Sequence, residues 1–320
     1  MTTVLVSGAN AIMGYGILKS LRMSHNPYKL IGISIYDDSI APAFCDVFIK
    51  APLTLSEGYL KWLEKTIKEN NIDLIIPSFE IDVSFWSKNI DKLQKTGAKI
   101  VINNTELISL CEDKWAFYNV LKNQNCPYAI PTSLSSDFDE LIKKFGLPFI
   151  LKPRKGSGSR GIFRIYDKEN FDLHKENIGQ KLLVQPIVGK EDEEFTTGAF
   201  CDGEGGFYTI INFKRKLSKD GYTNNAEVID SKKIEEAVSD ICKILKPHGP
   251  TNFQFRIHKG VCQLLEINPR VSASTSIRSA FGYNESVMAV EYFLNGKIPI
   301  QPKIRKGKAI RYIEDFIFYS

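Results

Sequence analysis

The sequence is poor in the residues that build structural metal and disulfide sites. Its 320 residues include four histidines and six cysteines, and no two cysteines stand in a C-x-x-C pair. A zinc site and a disulfide framework are therefore not expected, and reduced thiols in the cytoplasm fit this pattern better. No apolar run is long enough to span a bilayer, and no basic residue precedes Lys19, so neither a membrane span nor a signal peptide is expected.

A strong excess of charge of one sign is also missing. The chain has 42 basic and 37 acidic residues, which gives a formal net charge of +5. One short basic run occurs at 214–216, whereas nucleic-acid-binding proteins usually concentrate their basic residues in a patch. We therefore expect neither a nucleic-acid partner nor a membrane partner. A weakly positive site suits a small anionic ligand such as a nucleotide.

The first third of the chain alternates short apolar strands with amphipathic helices. Strands are predicted at 4–7, 30–35, 73–76 and 99–102, with helices after the first two of them. This order indicates an α/β unit with a parallel sheet that is covered on both faces. From about residue 105 the pattern changes. One helix is predicted over 105–123, and paired strands follow it, which indicates an α+β body.

A turn that follows the first strand has the position of a dinucleotide-binding loop. Residues 7–14 read SGANAIMG, but Asn10 and Met13 stand where glycines would let the backbone approach a pyrophosphate. We interpret the turn as part of a βαβ unit without a cofactor, and Asp37 and Asp38 as solvated loop acids. An NAD(P)-binding protein is the alternative, and loss of nucleotide binding on Lys152→Ala would exclude it as the main function.

A glycine- and serine-rich loop joins two predicted strands between Phe149 and Gly161. No helix follows it, so it is not a Walker loop. A hairpin loop of this composition can instead fold over a nucleotide, with its N–H groups facing phosphate oxygens. Lys152, on the strand before the loop, would then reach the phosphates as a fixed positive charge. A flexible surface hairpin with a solvated lysine is the alternative.

A second predicted hairpin, formed by residues 252–256 and 264–270, carries three oxygen-donating side chains. Strand alternation places Gln254 opposite Glu266 on one face, and Asn268 shares that face with Glu266. One carboxylate and two amide carbonyls are hard oxygen ligands. They suit a Mg²⁺ ion that keeps bonds to ATP phosphates.

These residues resemble the ATP-grasp superfamily, above all its carbamoyl-phosphate-synthase-like and L-amino-acid-ligase-like branches. The resemblance rests on Lys152 with its glycine loop, on Gln254, and on the element Leu265-Glu266-Ile267-Asn268-Pro269-Arg270. It covers nearly the whole chain, and its two main elements are highly specific jointly. It implies a Rossmann-like preceding domain at 1–105, followed by an ATP-grasp module of two α+β subdomains at 106–185 and 186–320.

The resemblance also implies an activity. The chain would be an ATP- and Mg²⁺-dependent ligase, with Mn²⁺ as a substitute ion, that acts on a small-molecule carboxylate and an amine. The carboxylate would form an acyl phosphate with release of ADP, and the amine would then displace phosphate. A carbamoyl-phosphate-synthase-like enzyme, another acyl-phosphate-forming kinase and a non-catalytic ATP-binding module are the rival functions. A homodimer is the assembly that we consider.

Individual roles follow from the same resemblance. Glu266 bridges two magnesium ions, and Gln254 and Asn268 each complete one ligand shell. From its chemistry, Arg270 would stabilise the transferred phosphoryl group, and Arg215 is a candidate clamp for phosphate or carboxylate. The implied nucleotide contacts are Lys114, Lys152, Gly156, Ser157, Gly158, the hinge residues Gln185, Pro186, Ile187 and Val188, and Glu194 at the ribose hydroxyls.

Several of these positions depart from the family pattern or have a simpler interpretation. The hinge begins with Gln185 where the family usually has an acid. Pro186 has no N–H, so Ile187 or Val188 must donate to the adenine. The simpler interpretations are an acidic solvated run for Glu194, a helix-surface lysine for Lys114, a solvated face for 214–216, and a surface ion pair of Glu266 with Arg256 or Arg270.

Two further polar segments stand near predicted ligand-binding positions. Residues 272–276 are rich in hydroxyl groups and could form a substrate-binding surface, or could cap the helix that follows. Glu80 and Asp82 follow the carboxyl end of a predicted strand, where α/β sheets bind ligands. They could bind a substrate amine, but we expect them to be surface acids.

Overall fold

The computed structural model describes residues 1–156, 161–190, 192–218 and 221–317, and within them the chain is a mixed α/β protein with three sheets. The first sheet is built from β1 (Thr2–Val6), β2 (Tyr28–Ser34), β3 (Val47–Lys50), β4 (Leu74–Ile76) and β5 (Lys99–Ile100). Its strands are all parallel, in the order β3-β2-β1-β4-β5. The predicted parallel sheet is thus confirmed.

Helices cover both faces of this sheet because its central strands are apolar on both sides. The helices of this part are α1 (Ile12–Arg22), α2 (Tyr59–Glu69), α3 (Glu80–Lys88) and α4 (Ile90–Gln94). Val4 and Val6 pack against Ile17 of α1 on one face. Leu5 packs with Leu63 of α2 and other apolar residues on the opposite face. The alternation along β1 therefore fixes which helix lies on which side.

Two helices, not the predicted single one, follow this sheet. These are α5 (Thr105–Cys111) and α6 (Lys114–Asn123). The predicted continuous helix is wrong because Asp113 has an extended backbone and begins a new helix. Its carboxylate accepts hydrogen bonds from the N–H groups of Trp115 and Ala116. Asp113 also pairs with Arg154 at 2.6 Å, so the break connects α6 to the glycine-rich loop.

A small antiparallel sheet carries the glycine-rich loop. It consists of β6 (Phe149–Pro153), β7 (Phe163–Ile165) and β8 (Leu182–Pro186) in the order β7-β6-β8, with α7 (Phe138–Phe145) and α8 (Lys168–Asp172) beside it. Phe149, Leu151 and Phe171 are fully buried between this sheet and the two helices. This small core holds β6, and with it Lys152, in a fixed position.

The third sheet is antiparallel and has the order β13-β12-β9-β10-β11-β14. Its elements are β9 (Glu194–Asp202), β10 (Phe207–Leu217), β11 (Thr223–Ile229), α9 (Lys232–Leu245), β12 (His248–His258), β13 (Val261–Asn268), α10 (Thr275–Ala280), α11 (Glu285–Asn295) and β14 (Lys308–Ile310). Helix α9 buries its apolar face against β9, β12 and β13.

The three sheets are joined through shared contacts. Ala129 forms a β-bridge with Leu264 of the large sheet, and Ser133 forms one with Val184 of the small sheet. Helix α1 of the first unit packs against α10 and α11. These contacts leave a cleft between the small and large sheets. No helix in the described ranges has the length and apolar character needed to cross a membrane.

Candidate active site

Two adjoining cavities occupy the cleft between the small and large sheets. One has a volume of about 660 Å³ and is lined by the hinge, by β6 and by one face of β12 and β13. The other, of about 330 Å³, extends toward α3, α5 and α6 and has a mostly apolar wall. Lys114, Lys152, Gly156, Gln185 and Glu266 line both cavities. Charged groups therefore stand where the two cavities meet.

The hairpin of β12 and β13 brings three predicted metal ligands together. Gln254 pairs with Glu266 and Asn252 pairs with Asn268 in the strand register, as the sequence predicted for the first pair. The side-chain nitrogens of Gln254 and Asn268 donate to the same oxygen, Oε1 of Glu266, at 2.6 and 3.1 Å. The three side chains thus converge on one point.

This donor set fits a magnesium ion. One carboxylate and two carboxamides offer hard oxygen ligands of low total charge. In this structure the amide nitrogens of Gln254 and Asn268 face the carboxylate, an assignment that follows from the hydrogen-bond network. A half-turn of each terminal amide would present oxygens instead, so the fit requires no change in the backbone.

The arginines that could have paired with Glu266 are bonded elsewhere. Arg256 donates to Glu194 at 3.3 Å, and Arg270 donates to Glu80, its Nε–Oε1 distance being 3.2 Å. The alternative interpretation of Glu266 as the partner of a surface ion pair is therefore wrong. The Glu266 carboxylate therefore lines the cleft without pairing with either arginine.

Two lysines face Glu266 from the opposite side of the cleft. Burial and the nearby positive charge of Lys114, opposed by the charge of Glu266, together lower the pKa of Lys152 to about 8. Burial also lowers the pKa of Lys114. Lys114 is half-buried, and its Nζ donates to the carbonyl of Gly156 at 2.6 Å. Both ammonium groups are partly desolvated, which favours the binding of an anion.

The glycine-rich loop is held at its first residues. Arg154 pairs with Asp113, and its carbonyl accepts the backbone N–H of Lys114 at 2.9 Å. Gly156 has φ +106°, a conformation that glycine adopts readily and other residues rarely do. Of the predicted phosphate contacts, Ser157 and Gly158 lie outside the described residues.

The hinge residues line the larger cavity. Gln185 is buried and donates from its amide nitrogen to Thr132 Oγ1 at 2.8 Å. Pro186, Ile187 and Val188 continue this wall. The structure thus places all four predicted hinge residues in the wall of the same cavity as Lys152.

Glu194 and Arg215 form a buried ion pair at the end of the cleft. Their side chains are 5 % and 7 % exposed, so the interpretations as an acidic solvated run and a solvated basic face are wrong for these two residues. Arg215 Nη2 donates to Glu194 Oε1 at 2.6 Å and to Gln254 Oε1 at 2.8 Å. Its Nη1 donates to Thr223. Arg215 therefore orients a predicted metal ligand.

The two acids of α3 have different environments. Glu80 is 44 % exposed and bonds Arg270, whose charge and hydrogen bond lower the pKa of Glu80 despite the opposing effect of desolvation. Asp82 is buried, and its carboxylate accepts hydrogen bonds from Ser7 and Thr54 at 2.6 Å each. Burial raises the pKa of Asp82. The expectation of a surface acid is wrong for Asp82. Its helical neighbours Val83 and Trp86 are buried on the same face, which was the available signal.

A second buried ion pair escaped the sequence analysis. Arg278 is fully buried and donates to both oxygens of Glu285, at 3.0 and 3.1 Å. Its Nη2 donates to Asn252 Oδ1 at 2.6 Å, and Asn252 lies opposite Asn268 in the hairpin. No local pattern marked Arg278, because α10 and α11 must first fold back on each other to bring Glu285 to it, and Asn252 comes from a distant strand.

The hydroxyl-rich segment 272–276 is hydrogen-bonded to the residues around Arg215. Ser274 stands before α10 but its side chain makes no cap hydrogen bond. Ser274 Oγ instead lies 2.9 Å from Thr223 Oγ1, which also accepts from Arg215. The predicted cap is therefore wrong for Ser274, and the segment borders the site.

Comparison with known proteins connects this geometry to a family. Residues 179–316 match a family model described as "ATP-grasp in the biosynthetic pathway with Ter operon". The carbamoyl phosphate synthase large chain of Methanothrix thermoacetophila is 24 % identical over 283 residues, which cover 83 % of this chain and 26 % of that protein. The chain thus spans about a quarter of the length of the curated relatives it matches.

Solved structures share the fold. The biotin carboxylase domain dimer of the Hydrogenobacter thermophilus 2-oxoglutarate carboxylase, in complex with MgADP, ADP and bicarbonate, superposes with a TM-score of 0.72 at 16 % identity over 96 % of this chain and 73 % of that one. The L-amino acid ligase from Bacillus licheniformis superposes with a TM-score of 0.68 at 14 % identity over 96 % of this chain and 78 % of that one.

Proposed function

We propose that the chain is a member of the ATP-grasp superfamily and that it is an ATP- and Mg²⁺-dependent ligase that joins a carboxylate to an amine. The reaction would transfer the γ-phosphoryl group of ATP to the carboxylate, releasing ADP and giving an acyl phosphate. The amine would then attack the acyl carbon, forming an amide and releasing phosphate. The carbamoyl phosphate synthase and amino acid ligase among its relatives agree with this chemistry.

One observation carries the proposal. Glu266, Gln254 and Asn268 converge within hydrogen-bond distance on one wall of the cleft, and the charge of Glu266 acts on Lys152 across it. A cation site facing a desolvated lysine beneath a glycine-rich loop is the arrangement that a metal-bound triphosphate requires. A magnesium ion held by these three residues would supply charge neutralisation for the triphosphate; Mn²⁺ could replace it.

The charged residues of the site would then position and stabilise the reacting groups. Lys152 and Lys114 would hold the phosphates, because burial leaves their charges poorly solvated. Arg270 would exchange Glu80 for the transferred phosphoryl group, to which a guanidinium can donate two parallel hydrogen bonds. Arg215 would give up its hydrogen bond to the Gln254 amide oxygen when the ion binds, and would add positive charge to the site. Since phosphoryl transfer depends mainly on positioning and charge, these roles suffice for the first step.

The remaining nucleotide contacts are proposed from their positions. Ile187 or Val188 would donate to the adenine edge from the hinge, and Glu194 would receive the ribose hydroxyls. Glu194 already accepts hydrogen bonds from Arg215 and Arg256, which would orient its carboxylate. Gly156 would begin the loop over the phosphates, together with Ser157 and Gly158.

The division of the chain also belongs to the proposal. Residues 1–105 would be the Rossmann-like preceding domain, 106–185 the small subdomain with the lid loop, and 186–320 the subdomain with the metal site. The parallel order of the first sheet and the separate small sheet support this division. We also propose that the protein is cytoplasmic. We propose further that it forms a homodimer, which light scattering would test.

The proposed function is tested by screening for ADP and phosphate release from ATP across panels of amino acids, other carboxylic acids and amines. We expect ADP release that depends on Mg²⁺ and on one carboxylate, with amide product when the amine is added. Carboxylate-dependent ADP release that no amine converts to an amide would indicate an acyl-phosphate-forming kinase. No ADP release with any combination, despite nucleotide binding, would contradict the enzyme assignment.

A further inference from the structure

A half-buried arginine near the carboxyl end of the described chain has a hydrogen-bond donor that is not used. Arg311 follows β14, and its backbone N–H donates to the carbonyl of Asn224 at 2.8 Å. Its Nη2 donates to the carbonyl of Ala273. Its Nη1 is buried and has no hydrogen-bond partner among the described residues. A buried guanidinium nitrogen that lacks a partner costs free energy, which a bound anion would recover.

The surroundings of Arg311 are positive. Burial lowers the pKa of Arg311, the charge of Arg215 lowers it further, and Tyr15 acts in the opposite direction. Among the described residues no carboxylate pairs with Arg311, whereas Glu194 is shared by Arg215 and Arg256. This part of the site therefore has an excess of guanidinium groups over carboxylates, which favours an anionic ligand.

Arg311 is connected to the proposed reaction centre. Its partner Ala273 lies three residues after Arg270 in the same loop. The neighbouring Ser274 Oγ is 2.9 Å from Thr223 Oγ1, and Thr223 accepts from Arg215, which donates in turn to Gln254. One hydrogen-bonded network thus joins the Arg311 environment to the predicted metal ligands.

Helix α1, which belongs to the part of the chain with the parallel sheet, packs against the loop that Arg311 contacts. Helix α1 packs so closely on the loop that a Cβ atom at Gly16 would lie 3.4 Å from Thr275 Cγ2. Its neighbour Tyr15 has a phenol whose pKa burial raises, so the hydroxyl stays protonated and can donate to an anion. Arg311 and helix α1 therefore contact the loop 272–276 from two separate parts of the chain.

We propose that Arg311 binds a substrate carboxylate group that is not phosphorylated in the reaction. This inference rests on the proposed function and narrows its substrates. Arg270 and the metal ligands serve the reacting carboxylate, so a second anchored carboxylate belongs either to an amino acid that supplies the amine or to a dicarboxylic acid. An anchored group that takes no part in the chemistry contributes binding and orientation.

A binding experiment tests the anion site without turnover. Malonate is titrated calorimetrically into full-length protein saturated with MgADP, so that the nucleotide occupies the lysines of the cleft. We expect Arg311→Gln to weaken malonate binding by about 10- to 100-fold, as for loss of a charge-assisted hydrogen bond. Arg305→Gln, an exposed arginine on the same segment, should leave it within about twofold. Equal malonate affinity in wild type and Arg311→Gln, or no binding by wild type, would overturn the inference.

A kinetic comparison identifies which substrate carries the carboxylate. The screen gives the pair of substrates with the highest activity. Each of the two substrates is then replaced in turn by an analogue in which the non-reacting carboxyl group is an uncharged amide. Arg311→Gln should raise KM for the carboxylate-bearing component by about tenfold or more with little change in kcat, and should abolish the preference for acid over amide. Arg311→Lys should restore part of this preference. An unaltered preference would refute the assignment, whereas absence of turnover in wild type would contradict the proposed function and leave malonate binding to decide on Arg311.

Discussion

Gln254 and Glu266 lie opposite each other on adjacent antiparallel strands, and the Gln254 side-chain nitrogen donates to Glu266 Oε1 at 2.6 Å. The oxygen of the same amide accepts a hydrogen bond from Arg215 at 2.8 Å. Gln254 therefore stands between a carboxylate and a guanidinium. When a cation enters, the Gln254 amide oxygen must exchange Arg215 for the ion, so Gln254 contributes to the affinity for the metal together with Glu266 and Asn268.

Replacing Gln254 by leucine should weaken metal binding. Leucine keeps the volume but removes the oxygen donor, and we expect the Mg²⁺ concentration for half-maximal ADP release to rise by about tenfold or more. The measurement is a Mg²⁺ titration at constant ATP. Gln263→Leu is the matched control, because within the described part of the chain the Gln263 amide bonds only the neighbouring Cys262 carbonyl. An unchanged titration for Gln254→Leu would show that Gln254 is not a ligand.

The affinity for nucleotide should fall as pH rises above 8. The pKa of Lys152 is lowered to about 8 by burial and by Lys114, so the free protein loses this charge as pH rises through that value. Phosphate binds the protonated form, and the Kd for MgADP should therefore increase by up to about tenfold per pH unit above 8. Calorimetric titrations between pH 6.5 and 9.5 measure this dependence.

Lys152→Arg provides the control for this pH dependence, because a guanidinium stays protonated over the whole range. Its Kd for MgADP should be nearly constant between pH 6.5 and 9.5, even if its affinity is lower than that of wild type. If both proteins showed the same rise in Kd, a different group would be responsible for it.

Introducing a methyl group at Gly198 should destabilise the fold. A Cβ atom there would lie 2.5 Å from Arg278 Nη1, whose side chain is fully buried and paired with Glu285. The guanidinium would have to move away from its partners, so Gly198→Ala should lower the free energy of unfolding by about 2–4 kcal/mol. Urea denaturation measures this change.

Gly16→Ala is the comparison for this effect, since its Cβ would meet Thr275 at 3.4 Å within a helix that favours alanine. It should change the free energy of unfolding by less than about 1 kcal/mol. Similar stabilities for Gly198→Ala and wild type would mean that the Arg278–Glu285 pair tolerates displacement.

The sequence was most informative where the determining contacts are local. The register of Gln254 with Glu266 follows from strand alternation and a short turn, and the structure confirms it. The parallel order of the first sheet follows from the alternation of strands and helices. In both cases neighbours in sequence determine neighbours in space.

Residues whose environment depends on distant segments were predicted poorly. Arg215 and Glu194 pair because β9 and β10 are in register 21 residues apart, and nothing near either residue indicates burial. The break before α6 depends partly on Asp113, which bonds Arg154, 41 residues away. Arg311 was missed for the same reason, since it bonds the Ala273 carbonyl of a distant loop, and Arg278 was missed because its contact with Asn252 joins residues 26 positions apart.

The central claim is tested most directly by carboxylate-dependent ADP release in wild type, Glu266→Gln and Glu291→Gln. Glutamine at position 266 keeps the shape of the side chain but removes the negative charge of the carboxylate that Gln254 and Asn268 both contact. Glu291 is a partly exposed glutamate of α11 away from the cleft. We predict that Glu266→Gln lowers kcat/KM for ATP by at least about 100-fold, whereas Glu291→Gln stays within about twofold of wild type. Full activity in Glu266→Gln would contradict a metal-bound triphosphate at this hairpin.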